Sequence, residues 1–199
     1  MLTRAKEIGI VHIEIRAGDE GEVNLLEQLQ TKYALHGGCV LTENKNIYSQ
    51  VAAYFAAETA ADVNLGLGWG YSLGEVLDNG PKRLHHQNGI VFPLLGNAHI
   101  PNKGYHPDEL VRLWGEVSGR STYNIGSPAF PDSEEERDCL EKKNIYKELR
   151  LLWQQMDAAV VTINNYPGVP DEATATRFGD ALKQQKAVGS FVSYYYLSL

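Results

Sequence analysis

The feature that most constrains the fold is a series of short, almost wholly apolar runs that alternate with segments of helical periodicity. Residues 62–67, 90–95 and 157–163 are such runs, and an alternating run at residues 8–15 precedes them. Strands without a polar face must be covered on both sides, as in a parallel sheet between two layers of helices. The pattern therefore predicts an α/β fold, a Rossmann-like three-layer sandwich with a mostly parallel sheet.

The intervening segments carry apolar residues at spacings of three and four, which is typical of helices. Two further short strands are expected near the middle and the end of the chain. The predicted helices cover residues 21–33, 48–60, 73–77, 107–117 and 133–156, the last with breaks, and the further strands cover residues 121–125 and 187–192.

Size and composition limit the class of protein. The chain has 199 residues, of which 43% are hydrophobic, enough for one core and little more. No apolar run approaches the ~20 residues of a membrane helix, and the N-terminus lacks the apolar run of a secretion signal. The net charge of −7 argues against a nucleic-acid surface on this chain. We therefore expect a cytoplasmic protein without a membrane partner.

The cysteines and the tyrosine-rich tail are expected to be structural. Cys39 and Cys139 show no CxxC or Cys/His spacing, and we expect both to be buried or half-buried thiols in a strand and a helix. Residues 194–196 are three tyrosines in a row. We expect them to be half-buried sheet residues, with a role in ligand stacking as the alternative.

Residues 65–72, Leu-Gly-Leu-Gly-Trp-Gly-Tyr-Ser, form a glycine-rich turn between a predicted strand and a predicted helix. Backbone N–H groups and a helix N-terminus at such a turn favour a phosphate. The spacing misses the dinucleotide fingerprint by one residue, and the P-loop Lys is absent. Two interpretations remain: a cup of N–H groups and the Ser72 hydroxyl for a small phosphorylated ligand, or a tight turn with Ser72 as its N-cap.

Polar loops follow four of the predicted strands, at residues 68–72, 96–106, 126–130 and 164–171. Ligands of such sheets bind beyond the carboxyl ends of the strands, so these loops form the candidate site. The second loop, extended to residue 108, offers amide, imidazole, phenol and carboxylate groups that suit sugar hydroxyls. A loop that only contacts solvent is the alternative.

The sequence indicates no catalytic, metal or cofactor site. His99 and His106 lack companions at metal-ligand spacing, and the chain has no G-x-S-x-G nucleophile motif. Asp108, Glu109 and Asp171 are available as general bases, but no pattern singles one out. We therefore expect a protein that is not an enzyme.

Several segments together resemble the effector-binding domain of SorC/DeoR-type sugar operon regulators. Residues 66–73 resemble that family's effector-phosphate turn, residues 92–97 its "PLVGG" strand end, and residues 127–130 its "APAF" loop. The opening residues 2–15 resemble the junction that follows the recognition helix. The remaining matches are residues 104–111, 157–161 and 187–189. They occur in the family's order and cover nearly the whole chain.

The resemblance implies the fold shared with ribose-5-phosphate isomerase and glucosamine-6-phosphate deaminase, used here for sensing. In the family a phosphorylated sugar or polyol binds at the strand ends and changes the regulator's assembly and its hold on the operator. A homo-oligomer is implied, as is DNA binding through a helix-turn-helix domain outside this chain. The implied ligand-binding residues are Gly68, Trp69, Gly70, Tyr71 and Ser72 around the phosphate, Asn97, Tyr105 and His106 at the sugar hydroxyls, and Gly96, Asn164 and Ser190.

The chain also departs from the family's pattern. Residues 1–16 are expected to be the remnant of the helix-turn-helix junction with the first strand, and residues 17–199 an effector domain that is incomplete at its C-terminus. Ser190 stands where the family usually has Asp or Glu. Two alternatives stay open: a sugar-phosphate isomerase or deaminase on the same architecture, and a truncated dimerisation module that binds no effector.

Overall fold

The structure, a computed structural model of the chain, describes residues 20–41, 47–59, 62–80, 87–97, 106–165 and 172–197, with side chains from residue 25 in the first helix and from residue 177 in the last. The chain divides into two compact units, Met1–Ile47 and Tyr48–Leu199. The predicted strand at residues 8–15 and the boundary at residue 16 lie outside the described residues.

In chain order the elements are α1 (Glu20–Tyr33), α2 (Ile47–Glu58), β1 (Leu65–Leu67), α3 (Tyr71–Asn79), β2 (Ile90–Pro93), α4 (Pro107–Ser118), β3 (Ser121–Thr122), α5 (Glu134–Lys142), α6 (Asn144–Gln154), β4 (Ala158–Val160), β5 (Ile163–Asn165), α7 (Glu172–Gln184), β6 (Ala187–Phe191) and β7 (Tyr194–Leu197). From β1 to β4 successive strands are separated by one helix or by two, and the end of the chain is richer in strands.

The first four strands form one parallel sheet in the order β3-β2-β1-β4. The central strand is wholly buried, with Leu65 opposite Val91 on one side and Ala158 on the other. The chain adds β2 and β3 on one side of β1 and then crosses to form β4 on the other. A topological switch point therefore lies between β1 and β4.

Both faces of this sheet are covered. Val91 belongs to the larger core cluster, which includes Leu110 and Trp114 of α4, whereas the next residue, Phe92, packs in a second cluster with Leu149 of α6. Adjacent strand residues point to opposite faces, so β2 has helices on both sides. The three-layer α/β arrangement predicted from the sequence is confirmed.

The predicted strand at residues 157–163 is wrong as a single element. β4 ends at Val160, and after residues 161–162 the chain enters a second, antiparallel sheet in the order β5-β6-β7. The strand predicted at residues 187–192 belongs to this second sheet and not to the parallel one. Ile163, Asn164 and Asn165 are all exposed, and two adjacent amide side chains do not fit a sheet position buried on both faces.

The expectation of buried cysteines is also wrong, because both thiols are exposed. Cys139 lies on α5, whose buried residue is its neighbour Leu140, and Cys39 lies outside any strand. Tyr194 and Tyr196 are exposed as well, and only Tyr195 is half-buried. Neighbouring side chains on a helix point in different directions, so Cys139 is exposed next to the buried Leu140.

The buried guanidinium of Arg120 connects chain segments at the amino ends of the parallel strands. Arg120 lies just before β3, and its guanidinium donates to the carbonyl oxygens of Asn88 (3.1 Å) and Thr59 (2.6 Å). Burial lowers the pKa of Arg120, and the nearby Asp62 opposes that effect. This polar cluster lies at the edge opposite the candidate site and stabilises the sheet.

No helix in the described ranges is both long and apolar enough for a membrane span.

The turn between β6 and β7 predicts a stabilising substitution. Val192 and Ser193 both have positive φ, 44° and 60°, as the type I′ hairpin turn requires, yet neither residue favours that region. Replacing the pair by Asn-Gly should raise the free energy of unfolding by about 1 kcal/mol in urea denaturation. Val192→Thr keeps the branch at Cβ and should leave the midpoint unchanged. A midpoint that falls for Asn-Gly would contradict the turn assignment.

Candidate functional site

The glycine turn at residues 68–72 lies at the topological switch point. Gly68 N–H donates to the carbonyl oxygen of Val160 at 2.8 Å, which joins the ends of β1 and β4. Thr162 Oγ1 then donates to the carbonyl oxygen of Trp69 at 3.3 Å. The turn is therefore held by the segment that leads from the parallel sheet to the antiparallel sheet.

Gly70 is the N-cap of α3, with φ 122° and ψ 170° and no side-chain cap. This region of backbone space is essentially restricted to glycine. Ser72 is the second residue of the helix, so the interpretation of Ser72 as the N-cap is wrong. At Gly68 an added Cβ would lie 3.3 Å from the carbonyl oxygen of Val160, tighter than ordinary contact.

In the charge of its N-terminus α3 is like α2 and α6 and differs from α4 and α5. α4 carries Asp108 and Glu109 in its first turn, and α5 carries three glutamates there, whereas α3 has no acidic residue in its first turn. The first bond of the α3 ladder runs from Gly74 N–H to Gly70 O at 3.1 Å, so the N–H groups of Ser72 and Leu73 precede the ladder. No carboxylate in the first turn of α3 offsets the partial positive charge of this terminus, and the nearest one on the helix, Glu75, lies one turn further along.

The side chains of the turn face different surroundings. Tyr71 and Ser72 are exposed, whereas Trp69 is half-buried and packs against the larger core cluster. The carboxylate of Glu75, one turn further along α3, is the main cause of a raised pKa at Tyr71. A hydrogen bond between the Tyr71 and Glu75 side chains contributes to the same shift.

The described ends of the second loop, at Asn97 and Asp108, are linked by a carboxylate. Asp108 Oδ1 accepts from Ile125 N–H at 2.9 Å, and Oδ2 accepts from Gly126 N–H at 2.9 Å and from Asn97 Nδ2 at 2.8 Å. Asp108 N–H in turn donates to Asn97 Oδ1, although the bond is long at 3.4 Å. Asp108 thus joins the end of β2, the start of α4 and the segment after β3.

Backbone hydrogen bonds hold the third loop, residues 126–130, next to Asn97. Asn97 N–H donates to Ser127 O at 2.7 Å, and Asn97 O accepts from Ala129 N–H at 2.9 Å, so Asn97 and Pro128 form a parallel bridge. A Cβ on Gly96 would lie 2.5 Å from the Pro128 carbonyl oxygen, so only glycine fits there.

The remaining predicted site residues are distributed as follows. His106 is half-buried and is the N-cap of α4, directly before Pro107. Tyr105 lies outside the described residues. Asn164 and Ser190 are direct partners in the register of β5 and β6, so the structure places these two residues together. Asn164 follows Thr162, which contacts the glycine turn, by two residues.

Thr162 and Arg177 are site-supporting residues that the sequence interpretation missed. Arg177 of α7 donates to the carbonyl oxygens of Phe130 (3.0 Å) and Pro131, and its neighbour Phe178 meets Phe130 edge to face at 5.4 Å. For Thr162 the available signal was a polar residue within the apolar run 157–163. Arg177 carried no local signal, because its partners lie more than 40 residues away.

Two findings identify the family. The sequence model described as "Putative sugar-binding domain" matches residues 20–198. The chain belongs to this sugar-binding domain family. The sorbitol operon regulator of Klebsiella pneumoniae is 22% identical over 211 residues, an alignment that covers 98% of this chain and 66% of that regulator. The chain therefore spans about two thirds of the length of this curated relative.

Solved structures of sugar-operon regulators share the fold of this sugar-binding domain. Full-length SorC from Klebsiella pneumoniae superimposes with a TM-score of 0.80 at 21% identity, over 99% of this chain and 70% of that one. A DeoR family transcriptional regulator from Listeria monocytogenes gives 0.72 at 20% identity, over 89% and 74%. The resemblance to SorC/DeoR-type regulators drawn from the motifs is confirmed.

Removing one acceptor at Asp108 should disconnect the second and third loops. In Asp108→Asn an NH₂ group replaces an oxygen that accepts from N–H donors, so at least one of the three donors loses its acceptor. We expect a loss of about 2–3 kcal/mol in the free energy of unfolding, measured by urea denaturation. Glu109→Gln, one residue along, breaks only a surface ion pair with Arg112 and should cost much less. Equal losses would show that Asp108 has no special structural role.

Two glycine-to-alanine changes should act in opposite directions. Gly70→Ala forces alanine into a region of φ and ψ that favours glycine and should cost about 1–3 kcal/mol, although the nearest atom, Thr162 Oγ1, is 3.7 Å from the new Cβ. Gly179→Ala lies inside α7 with no atom within 4 Å of the new Cβ and should stabilise by about 0.5–1 kcal/mol. Thermal unfolding of both variants checks the sign. A neutral Gly70→Ala would mean that the turn relaxes freely.

Proposed function

We propose that this domain senses a phosphorylated sugar or polyol, whose phosphate binds at the glycine turn. The observation that carries the proposal is that a helix N-terminus with no acidic residue in its first turn, that of α3, lies at the switch point of the parallel sheet. N–H groups and the helix dipole at this position favour an anion. Gly68 and Gly70 allow close approach, and the exposed Ser72 hydroxyl can donate to a phosphate oxygen. The Tyr71 hydroxyl interacts with Glu75 and would have to leave that carboxylate to contact a phosphate.

The hydroxyl groups of the ligand are assigned to the neighbouring loops. Gly96, Asn97, Tyr105 and His106 follow the next strand of the parallel sheet, and Asn164 pairs with Ser190 beyond Thr162. The side-chain amide of Asn97 is held by Asp108. This orients the Asn97 atoms that can still bind a hydroxyl of the ligand. Ser190 offers a neutral hydroxyl, so it binds a sugar hydroxyl less strongly than a carboxylate would.

We infer that the site binds its ligand without turnover, because Asp108 and Glu109, two of the three carboxylates considered as bases, are engaged within the protein. Asp171, the third, lies outside the described residues. The carboxylate of Asp108 accepts three N–H groups within the protein, which leaves it poorly placed to remove a proton from a ligand. Glu109 pairs with Arg112, whose hydrogen bond lowers the pKa of that carboxyl. Both groups therefore serve structure in the described part of the chain.

The regulatory context follows from the relatives. The relatives named above are transcriptional regulators, so we infer that ligand binding here controls operator binding by a separate helix-turn-helix domain, in a cytoplasmic homo-oligomer. We assign residues 17–199 to sensing and residues 1–16 to the junction with the DNA-binding part.

The test is a thermal-shift panel of sugar and polyol phosphates, each paired with its unphosphorylated parent. A ligand of the folded state at a hundred times its dissociation constant adds about 2.7 kcal/mol and raises the melting temperature. We expect shifts for phosphorylated compounds only. Ser72→Ala should reduce them, and Ser72→Asp, which places a carboxylate in the first turn of α3, should abolish them while the unliganded protein stays folded.

Ser121→Asp is the matched control. Ser121 is exposed at the start of β3, at the opposite edge of the sheet, so the same added charge there should leave the ligand shift intact. Shifts that survive Ser72→Asp would move the phosphate away from the glycine turn. A protein that melts cooperatively and shifts with no compound would leave the non-binding dimerisation module as the better description.

A further inference from the structure

A cavity of about 390 Å³ lies between α7 and the hairpin of β6 and β7. Phe178 and Leu182 line it from α7, Tyr195 lines it from β7, and Phe130 lines it from the third loop of the candidate site. None of the described residues assigned above to the phosphorylated ligand lines this cavity. Its volume is typical of small-molecule pockets, since an apolar cavity of about 150 Å³ is already large enough to bind benzene.

Three aromatic rings line the cavity, and all three are half-buried. Phe130 and Phe178 meet edge to face with their centroids 5.4 Å apart. Arg177 donates to the carbonyl oxygens of Phe130 and Pro131, which holds the loop that carries one of these rings. Rings on a cavity wall favour a flat aromatic guest, because stacked and edge-to-face pairs add to the free energy of burial.

The wall of the cavity is uncharged in the described part of the chain. All eight lining residues are neutral, although α7, which supplies three of them, also carries Arg177, Asp180 and Lys183. Gln185 and Ser193 supply an amide and a hydroxyl for hydrogen bonds. A charged guest would lose its hydration without gaining an ionic partner, so the cavity selects an uncharged molecule.

Ser193 reaches the cavity from an unfavourable backbone conformation. Its φ of 60° lies in the left-handed region, as does the φ of 44° at Val192. Asn-Gly would fill these two positions at lower cost, but glycine would leave the cavity without the Ser193 side chain. Strained residues of this kind are concentrated at ligand-binding sites. The conformation of Ser193 is therefore a second observation that points to a ligand.

We propose that this cavity is a second ligand site, separate from the glycine turn, for a small uncharged aromatic molecule that carries a hydroxyl or another neutral hydrogen-bonding group. The ring of the ligand packs against Phe130, Phe178 and Tyr195, and its polar group bonds to Gln185 or Ser193. The backbone of Asn97 is bonded to Ser127 and Ala129, so the loop at residues 126–130 borders both this cavity and the residues proposed to bind sugar hydroxyls.

The experiment is a titration of the full chain with 2-naphthol, followed by saturation-transfer NMR on the ligand. 2-Naphthol is uncharged at neutral pH, and 2-naphthoate is a probe of similar shape that carries a negative charge. We expect 2-naphthol to bind and 2-naphthoate to bind at least tenfold more weakly. No binding of 2-naphthol by a protein that melts cooperatively, or equal binding of both compounds, would overturn the proposal. No phosphorylated ligand is needed, so the outcome is independent of the glycine turn.

Ala181→Leu and Ala53→Leu are a matched pair of variants. Both replace an exposed alanine on a helix, but only residue 181 lines the cavity. Ala181→Leu should lower the affinity for 2-naphthol at least tenfold, because its side chain takes the space of the ring. Ala53→Leu should bind like the wild type. Equal affinities of the two variants would place 2-naphthol elsewhere on the protein.

Ser193→Gly separates binding from stability. Glycine tolerates positive φ, so the midpoint of urea denaturation should rise. The variant also removes a hydroxyl from the cavity, so the affinity for 2-naphthol should fall severalfold. A variant that is more stable and binds 2-naphthol like the wild type would overturn the assignment of Ser193 to the site.

Discussion

The structure depends on β1, a three-residue strand buried on all sides, because both of its neighbours are fixed by pairing with it. Leu65 and Leu67 fill the larger core cluster, and Gly66 leaves room for Leu94 and Met156, whose side chains would lie 2.5 Å from an added Cβ. Since β2 and β4 flank this strand, the chain connections at its carboxyl end run to opposite sides. The glycine turn occupies that point of divergence, so the location of the site follows from the packing of β1.

The turn and the loops around it are stabilised by interactions that come from distant parts of the chain. Val160 and Thr162 hold residues 68 and 69 through hydrogen bonds, and Asp108 holds three other groups near the end of β2. The backbone of residues 68 and 69 and the side chain of Asn97 are therefore held by hydrogen bonds within the protein. Preorganisation of this kind lowers the entropic cost of binding.

The parallel sheet could be predicted because its strands are apolar on both faces. The glycine turn could be predicted because Gly68 and Gly70 lie between an apolar run and a helical pattern. The split after Val160 could not, since an apolar run gives no information about which sheet its last residues join. The role of Asp108 also escaped prediction. Its carboxylate suggested a possible base, and only the fold shows that N–H groups from Ile125, Gly126 and Asn97 converge on it.

The glycine turn and the antiparallel sheet are connected through a short piece of chain. Thr162 contacts the glycine turn, and the next residue, Ile163, begins β5. Asn164 then pairs with Ser190 of β6. A ligand held between the glycine turn and Ser190, as proposed above, would contact both the parallel and the antiparallel sheet. A ligand that binds one arrangement of the two sheets more tightly than another would shift the population towards that arrangement.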